Sequence, residues 1–235
     1  WKPIIDEIHS YDCKVIIPLY HAGRLTVKEI AKTNPLCSSS IPCDNFPSYW
    51  RPKINNKIVN FQTNTQYEEP QELTEKEIVN IMNEFGNACE LSKKAGFDGV
   101  EIHGAHGYLV HCFCRGHVNK RKDKYQVKNY FFIEELINIC RNSLSNNLLS
   151  FRVSQHTVDN PYLRYNDGDL NLVSLIKKLN FLDIDILHVS EIKAGAKLFG
   201  NNRSLLNIAI QYFENTIISC GRHDSVKSAN EFLNL

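Results

Sequence analysis

No run of about eighteen apolar residues occurs in the 235-residue chain, which excludes a membrane-spanning helix. Net charge is nearly absent. Lys and Arg total 27 against 26 Asp and Glu, leaving +1, so the chain has no global electrostatic pull on nucleic acid or an anionic membrane. The first residues, WKPIIDEIHS, lack the charged and apolar regions of a secretion signal and lack an initiating Met. The chain therefore reads as an excerpt or a processed remnant. Eight cysteines, at 13, 37, 43, 89, 112, 114, 140 and 220, are scattered with no export signal. Free thiols and a cytoplasmic location are expected. A closely spaced cysteine quartet for an iron–sulfur cluster is missing, and so is a GxGxxG after the first strand-like run, which weakens a dinucleotide-binding sheet. What is present is an ordinary globular balance, 43% hydrophobic and 23% charged, enough to bury a sizeable core.

One pattern recurs. A short β-branched run is followed by a small or polar cluster and then by a helical pattern. The runs are Lys14–Leu19, Gly99–His103, Leu148–Ser154, Asp185–Ser190 and Thr216–Cys220. Such runs suit strands of a parallel sheet buried on both faces. Helices are expected over residues 1–10, 73–95, 131–143, 170–179 and 225–233. Thr74 and Glu77 match a capping box, and Gly96 stands where a helix stops. The fold class is α/β, and polar clusters at the strand ends favour a (β/α)₈ barrel slightly over a doubly wound sheet. Residues 33–73, rich in Asn, Pro, Ser and Thr, read as one long loop partly covering the strand ends.

The chemistry concentrates in Ala95–Leu109, AGFDGVEIHGAHGYL. Strand side chains alternate, so Val100 and Ile102 face one way and Glu101 and His103 the other. Gly104 permits a sharp exit, and a turn then brings His106 beside His103. Two convergent imidazoles suit a carbonyl oxygen that gains negative charge, and a metal is the other option. Tyr108 adds a phenol that could donate a proton. The dense cluster His111, Cys112, Cys114 and His117 fits no standard zinc spacing, so no metal is expected. Lys120–Lys124 reads as a solvated basic loop, and Cys13 and Cys220 as small buried apolar residues.

AGFDGVEIHGAHGYL resembles the strand-four signature of the Old Yellow Enzyme family of flavin oxidoreductases. Leu19–Arg24 (LYHAGR) resembles its third-strand QLxHAGR motif. Asn119, Arg121, Asp123 and Tyr125 resemble its NxRxDxYGGS segment, and Phe151–Ser154 (FRVS) its fifth strand. The four stand in the family's order. The resemblance implies a TIM barrel that carries FMN, oxidises NAD(P)H and reduces the alkene of an α,β-unsaturated carbonyl. It implies that His103 and His106 hold the substrate carbonyl and that Tyr108 protonates the α-carbon or shapes the pocket. It places Arg152 against the flavin ring, and Gly221 and Arg222 in a phosphate-binding turn. A small-molecule substrate is the partner implied, and the oligomeric state is left open.

The departures are equally specific. Pro18 stands where the family has a Gln that bonds the flavin pyrimidine, and proline has no amide to offer. Arg115-Gly116 replaces a Ser-Pro, and Gln126, Val127 and Lys128 replace GGS. Trp1–Ser10 resembles the helix after the family's second strand, so residues 1–235 are expected to form a single partial barrel domain of about five of eight strands. Weak or absent flavin binding is expected of such a chain alone, with an inactive remnant of the family as the alternative.

Overall fold

A computed structural model describes residues 1–43, 67–160, 170–197, 203–223 and 225–233, together with the strand pieces Ser48–Trp50, Lys53–Ile54, Lys57–Ile58 and Phe61–Thr63. Five strands form its main sheet: β1 (Ile16–Leu19), β2 (Gly99–His103), β3 (Leu148–Val153), β4 (Ile186–Ser190) and β5 (Thr216–Cys220). All pair in parallel, in the order of the sequence. A doubly wound sheet reverses its strand order partway across, whereas a barrel wall does not. The helices are α1 (Lys2–His9), α2 (Lys28–Ala31), α3 (Glu75–Ala95), α4 (Leu109–Phe113), α5 (Phe131–Leu144), α6 (Leu170–Asn180), α7 (Leu205–Tyr212) and α8 (Val226–Leu233).

Local chemistry explains the clearest helix. The Thr74 hydroxyl accepts from the Glu77 N–H, while the Glu77 carboxylate accepts from the Thr74 N–H, closing the capping box of α3. Gly96 ends it in the left-handed region at φ 99°. Helix α7 begins with the same device built from Ser204 and Asn207.

The two faces of the sheet divide by chemistry. Val100, Ile102, Leu149, Phe151, Val153, Leu187 and Val189 face the helices and are buried in one apolar core. Each such side chain contributes roughly 1.5–3 kcal/mol of burial. The alternate positions carry Glu101, His103, Ser150, Arg152, Ser154, His188 and Ser190, which makes the inner face polar. Gly104 lies where an added Cβ would meet the Phe151 ring at 2.3 Å. Its small size serves that close approach, and it is absent from the residues with positive φ.

Three sequence readings are corrected here. The segment 33–73 is more than a loop. Leu36–Cys37 pairs in parallel with Gln71–Glu72, Ser48–Trp50 pairs with Phe61–Thr63, and Lys53–Ile54 with Lys57–Ile58. Whether it covers the strand ends falls in large part on residues outside those described. Within the basic run, Arg121 is buried. Its guanidinium donates to the carbonyls of Ser38 and Leu73 and to the Asp123 carboxylate. Asn119 donates to the carbonyls of Phe113 and Tyr125, so the NxRxDxY segment pins the loop that follows α4. Cys13 is exposed and Cys220 half-buried.

The loops after β1 and β3 are tied by a buried ion pair. Arg24 Nη2 lies 2.9 Å from Asp159 Oδ2, and both side chains are almost wholly buried. Arg24 also donates to the Pro42 carbonyl. Gly23, at φ 62°, lets this loop touch the backbone of Leu109, where a Cβ would approach within 2.9 Å. The N–H of Leu109 donates to the His21 carbonyl at 3.0 Å.

Candidate active site

Strand β2 delivers His103 to the inner face at its C-terminal end. The chain then turns through His106, held left-handed at φ 61°, with its N–H donating to Ser154 Oγ and its carbonyl accepting from Val158. Gly107, at φ 89°, donates its N–H to His111 Nδ1. These backbone anchors bring the imidazoles of His103 and His106 to a centroid separation of 5.0 Å, edge to face. The Tyr108 ring lies 4.9 Å from His103, and Tyr20, at the end of β1, lies 5.1 Å from Tyr108. His156 packs 4.8 Å from His106.

The second imidazole has a partner that its sequence context gives no hint of. His106 Nε2 lies 3.1 Å from Ser190 Oγ, and the Cys220 thiol donates to the same oxygen at 3.2 Å. These two contacts hold the His106 ring in place. His103 Nδ1 is buried with no hydrogen-bond partner among the described residues.

Arg152 sits beside His103 in register, with His188 next to it on β4. One carboxylate serves this row. Glu101 Oε1 lies 2.7 Å from Arg152 Nη2, and Glu101 Oε2 lies 2.7 Å from His188 Nδ1 and accepts from Ser150 Oγ. Arg152 Nε and His188 Nε2 are buried without hydrogen-bond partners among the described residues. Gly221 and Arg222 stand apart from this cluster, at the end of β5. Both have positive φ, 138° and 50°. A Cβ at Gly221 would strike the Glu191 carbonyl, and the Gly221 carbonyl accepts from Ala194, so this glycine packs against the loop after β4. The Arg222 side chain is exposed.

Charge follows burial. Desolvation, reinforced by the Arg152 cation, pulls His103 down to about 4. Desolvation and His156 pull His106 down to about 3. Both rings are neutral at neutral pH and offer an N–H without a charge. Burial and Tyr20 push the Tyr108 phenol above its usual value, so it keeps its proton. Burial opposes the charge on Glu101, but His188 and Arg152 outweigh it and hold the carboxyl below its usual range.

A stability prediction follows from the two rings. Between pH 6.5 and about 4 they stay neutral in the folded chain, whereas unfolded imidazoles charge. The unfolded state then binds more protons, so the stabilisation is complete above pH 6.5 and falls as pH is lowered. Each ring contributes a slope of up to about 1.4 kcal/mol per pH unit. Urea midpoints measured at pH 7, 6 and 5 are expected to decrease, and a flat series would count against this placement of the rings.

Beside the site lies a cavity of about 680 Å³, walled by Tyr20, Tyr108, Leu25, Val27, Ile30 and Val158 among others. The sequence places Glu101 on the inner face without a role, and His188, Ser190 and Tyr20 join the site only in the fold. Alternation along LLSFRVS and DILHVS, applied as it was to GVEIH, carries the signal for His188 and Ser190. Among the described residues, no three His, Cys, Asp or Glu side chains stand close enough to hold a metal ion. His111, Cys112 and Cys114 are buried instead, the two thiols donating to the carbonyls of Gly107 and Val110. No helix of the described residues is long and apolar enough to cross a membrane.

Comparison with known proteins covers nearly the whole chain. The profile of the NADH:flavin oxidoreductase / NADH oxidase family matches residues 1–234. The chain is 29% identical to 12-oxophytodienoate reductase 2 of Arabidopsis thaliana, over 94% of its own length and 58% of the relative's. It is 34% identical to the NADH oxidase of Thermoanaerobacter brockii, over 52% of its own length and 16% of the relative's. Among solved structures, the old yellow enzyme homologue of Zymomonas mobilis superposes with a TM-score of 0.81 at 20% identity, covering the whole chain and 63% of that structure. Morphinone reductase in complex with tetrahydroNAD gives 0.80 at 19%, over the whole chain and 62% of that structure. These two TIM-barrel enzymes share the fold of the five-stranded wall. The chain thus spans less than two thirds of the length of each of these proteins.

Proposed function

The chain belongs to the NADH:flavin oxidoreductase / NADH oxidase family, whose members depend on FMN and use NAD(P)H, and from that premise we propose that it is an ene-reductase-type oxidoreductase acting on α,β-unsaturated carbonyls. The observation that carries this reading is that the His106 and Tyr108 rings each lie within about 5 Å of the His103 ring at the end of β2. The inner face also has leftover chemistry that suits a heteroatom-rich planar ring: His103 Nδ1, Arg152 Nε and His188 Nε2 are buried nitrogens with no hydrogen-bond partner among the described residues. Arg152 would hold the flavin, with Glu101 orienting the guanidinium, and Arg222 with the Gly221 turn would meet its phosphate.

FMN, when bound, supplies to the alkene the hydride it has taken from NAD(P)H. The residues do the rest. Two neutral N–H donors on a carbonyl oxygen polarise the alkene and stabilise the enolate-like charge that develops there. Each donor interacts more strongly with the developing enolate oxygen than with the neutral carbonyl, and that difference is what accelerates the step. The Tyr108 phenol holds a proton that it can give to the α-carbon. Leu25, Val27, Ile30 and Val158 offer an apolar wall for the substituents of the substrate. In this reading residues 1–235 form one barrel unit. The eight cysteines, all free thiols, suit a reducing cytoplasm, and neither nucleic acid nor membrane is a partner.

One observation favours an inactive remnant. Pro18 pairs with Glu101 in register and brings no hydrogen-bonding group to the inner face. Proline is tolerated because β1 has one neighbouring strand among the described residues. The experiment therefore compares the chain with Pro18→Gln. After incubation with FMN and desalting, the original chain is expected to retain little flavin. The variant is expected to bind about tenfold more tightly, the worth of one added hydrogen-bonded amide. At saturating FMN both are expected to consume NAD(P)H in the presence of an enone. Absence of enone-dependent consumption by either protein would leave the remnant as the reading.

A further inference from the structure

We propose that His188 is a flavin-binding residue whose Nε2 accepts from the imide N–H of the isoalloxazine ring, and that Glu101 is the positioning residue that fixes the tautomer this requires. Both roles rest on the reading in which the inner face of the sheet holds FMN, and they add to it a residue and a direction of hydrogen bonding. His188 on β4 lies beside Arg152 on β3, and Arg152 beside His103 on β2, all at one level of the sheet. On its other side His188 pairs in register with Ile218 of β5, whose side chain offers no hydrogen bond. His188 Nε2 and Arg152 Nε are both buried with no hydrogen-bond partner among the described residues. Buried polar atoms are ordinarily paired, so two such nitrogens on neighbouring strands point to a ligand that pairs them.

The carboxylate decides which ring nitrogen carries the proton. Glu101 Oε2 lies 2.7 Å from His188 Nδ1, and Glu101 Oε1 lies 2.7 Å from Arg152 Nη2. Burial opposes the charge on Glu101, but His188 and Arg152 outweigh it and hold the carboxyl below its usual range. An ionised carboxylate only accepts, so Nδ1 is the donor. With the ring neutral, Nε2 carries the lone pair. Arg152 Nε can only donate.

Neighbouring strands stand about 4.8 Å apart, so β3 and β4 present a donor and an acceptor side by side. The complement of that pair is a carbonyl next to an N–H, the pattern of a cyclic imide. The pyrimidine edge of oxidised flavin carries this pattern, and its imide N–H is the one N–H that the oxidised ring system has to give. The same edge offers carbonyl oxygen to Arg152. Glu101 thus does two things with one carboxylate: it aims the guanidinium and it leaves His188 with a free lone pair.

The test compares FMN with FMN methylated at the imide nitrogen, by quenching of flavin fluorescence in the full chain. The wild-type chain is expected to bind FMN about tenfold more tightly than the methylated form, the size of one hydrogen bond. His188→Ala is expected to bind the two alike. His188→Gln, whose amide oxygen can accept in place of Nε2, is expected to restore part of the preference. Glu101→Gln should abolish the preference by another route. Its single amide oxygen serves Arg152, its NH₂ group faces His188 Nδ1, and the ring proton moves to Nε2. Long-range ¹⁵N–¹H spectra of the chain without flavin, assigned by difference from His188→Ala, are expected to show the proton on Nδ1 in the wild type and on Nε2 in Glu101→Gln. Equal affinity for the two flavins in the wild-type chain, no measurable binding of FMN, a preference that survives His188→Ala, or a proton on Nε2 of the wild-type ring would each overturn the proposal. A preference set only by the bulk of the methyl group would persist in Glu101→Gln after the proton has moved, and would overturn it as well. The wild-type comparison and the wild-type spectrum decide even where a variant does not fold. Enone-dependent consumption of NAD(P)H is not among these readouts. Its absence in a chain that discriminates the two flavins would remove the ene-reductase reading and leave the His188 contact standing.

Discussion

Replacing His103 by Ala in the FMN-loaded protein is expected to lower kcat/KM for a small cyclic enone by about 10²–10³-fold, the worth of one preorganised donor to a developing oxyanion. The donor is neutral, because burial and Arg152 keep the ring from charging. Its contact with the carbonyl oxygen strengthens as charge builds, so the loss should fall on kcat more than on KM. His106→Ala should cost a similar factor. The double variant should cost less than the product of the two, since in the proposed reading both donors serve one oxygen. Flavin retention and thermal stability control the experiment. His103 Nδ1 has no hydrogen-bond partner among the described residues, so the variant is expected to keep the parent's fold, which the thermal melt checks. Unchanged kcat/KM in a variant that still holds flavin would remove His103 from the site.

The second large effect is structural. Asp159→Ala leaves the Arg24 guanidinium charged and only 2% exposed. Stranding one partner of a buried pair costs about 3–5 kcal/mol. In a chain of this size that corresponds to a fall in Tm of roughly 6–20 °C. Calorimetry on Asp159→Ala and on the double change Arg24→Met with Asp159→Leu separates two accounts. If the cost is the stranded charge, the double variant recovers most of the stability, because an apolar pair carries no desolvation penalty. If the pair contributes mainly by positioning the loops, both variants fall alike. A shift below about 2 °C in the single variant would show that the charge finds water or another acceptor.

Much of the site was legible because it lies on one continuous segment. Gly99 to Tyr108 contains both imidazoles and the phenol, and strand alternation alone turned Glu101 and His103 away from Val100 and Ile102. The partners of Glu101 were not legible. Its carboxylate meets His188, 87 residues on, and that contact depends on which strands are neighbours and in what register. Gly104 shows a different limit. A glycine after a strand reads as a hinge, yet here the space is taken by Phe151, which lies 47 positions away and left no mark on the local pattern. In KRKDK, adjacent charges look equivalent, but only Arg121 turns inward, because the Ser38 and Leu73 carbonyls wait for it there. Helix α7 carries a weak sequence signal, because its capping box uses Asn207 in place of the usual Glu or Gln.

By itself the amino-acid sequence determined the strand runs, the caps of α3 and the division of β2 into a polar and an apolar face. These follow from covalent geometry and hydrogen bonds between residues at most a few positions apart. Tertiary packing alone settled that Glu101 is shared by Arg152 and His188, that Ser190 meets both His106 and Cys220, and that Cys37 and Cys112 share a small cluster with Val118. A parallel ladder is held by backbone groups that every residue carries. Which side chains it sets side by side is settled when helices pack the strands into place.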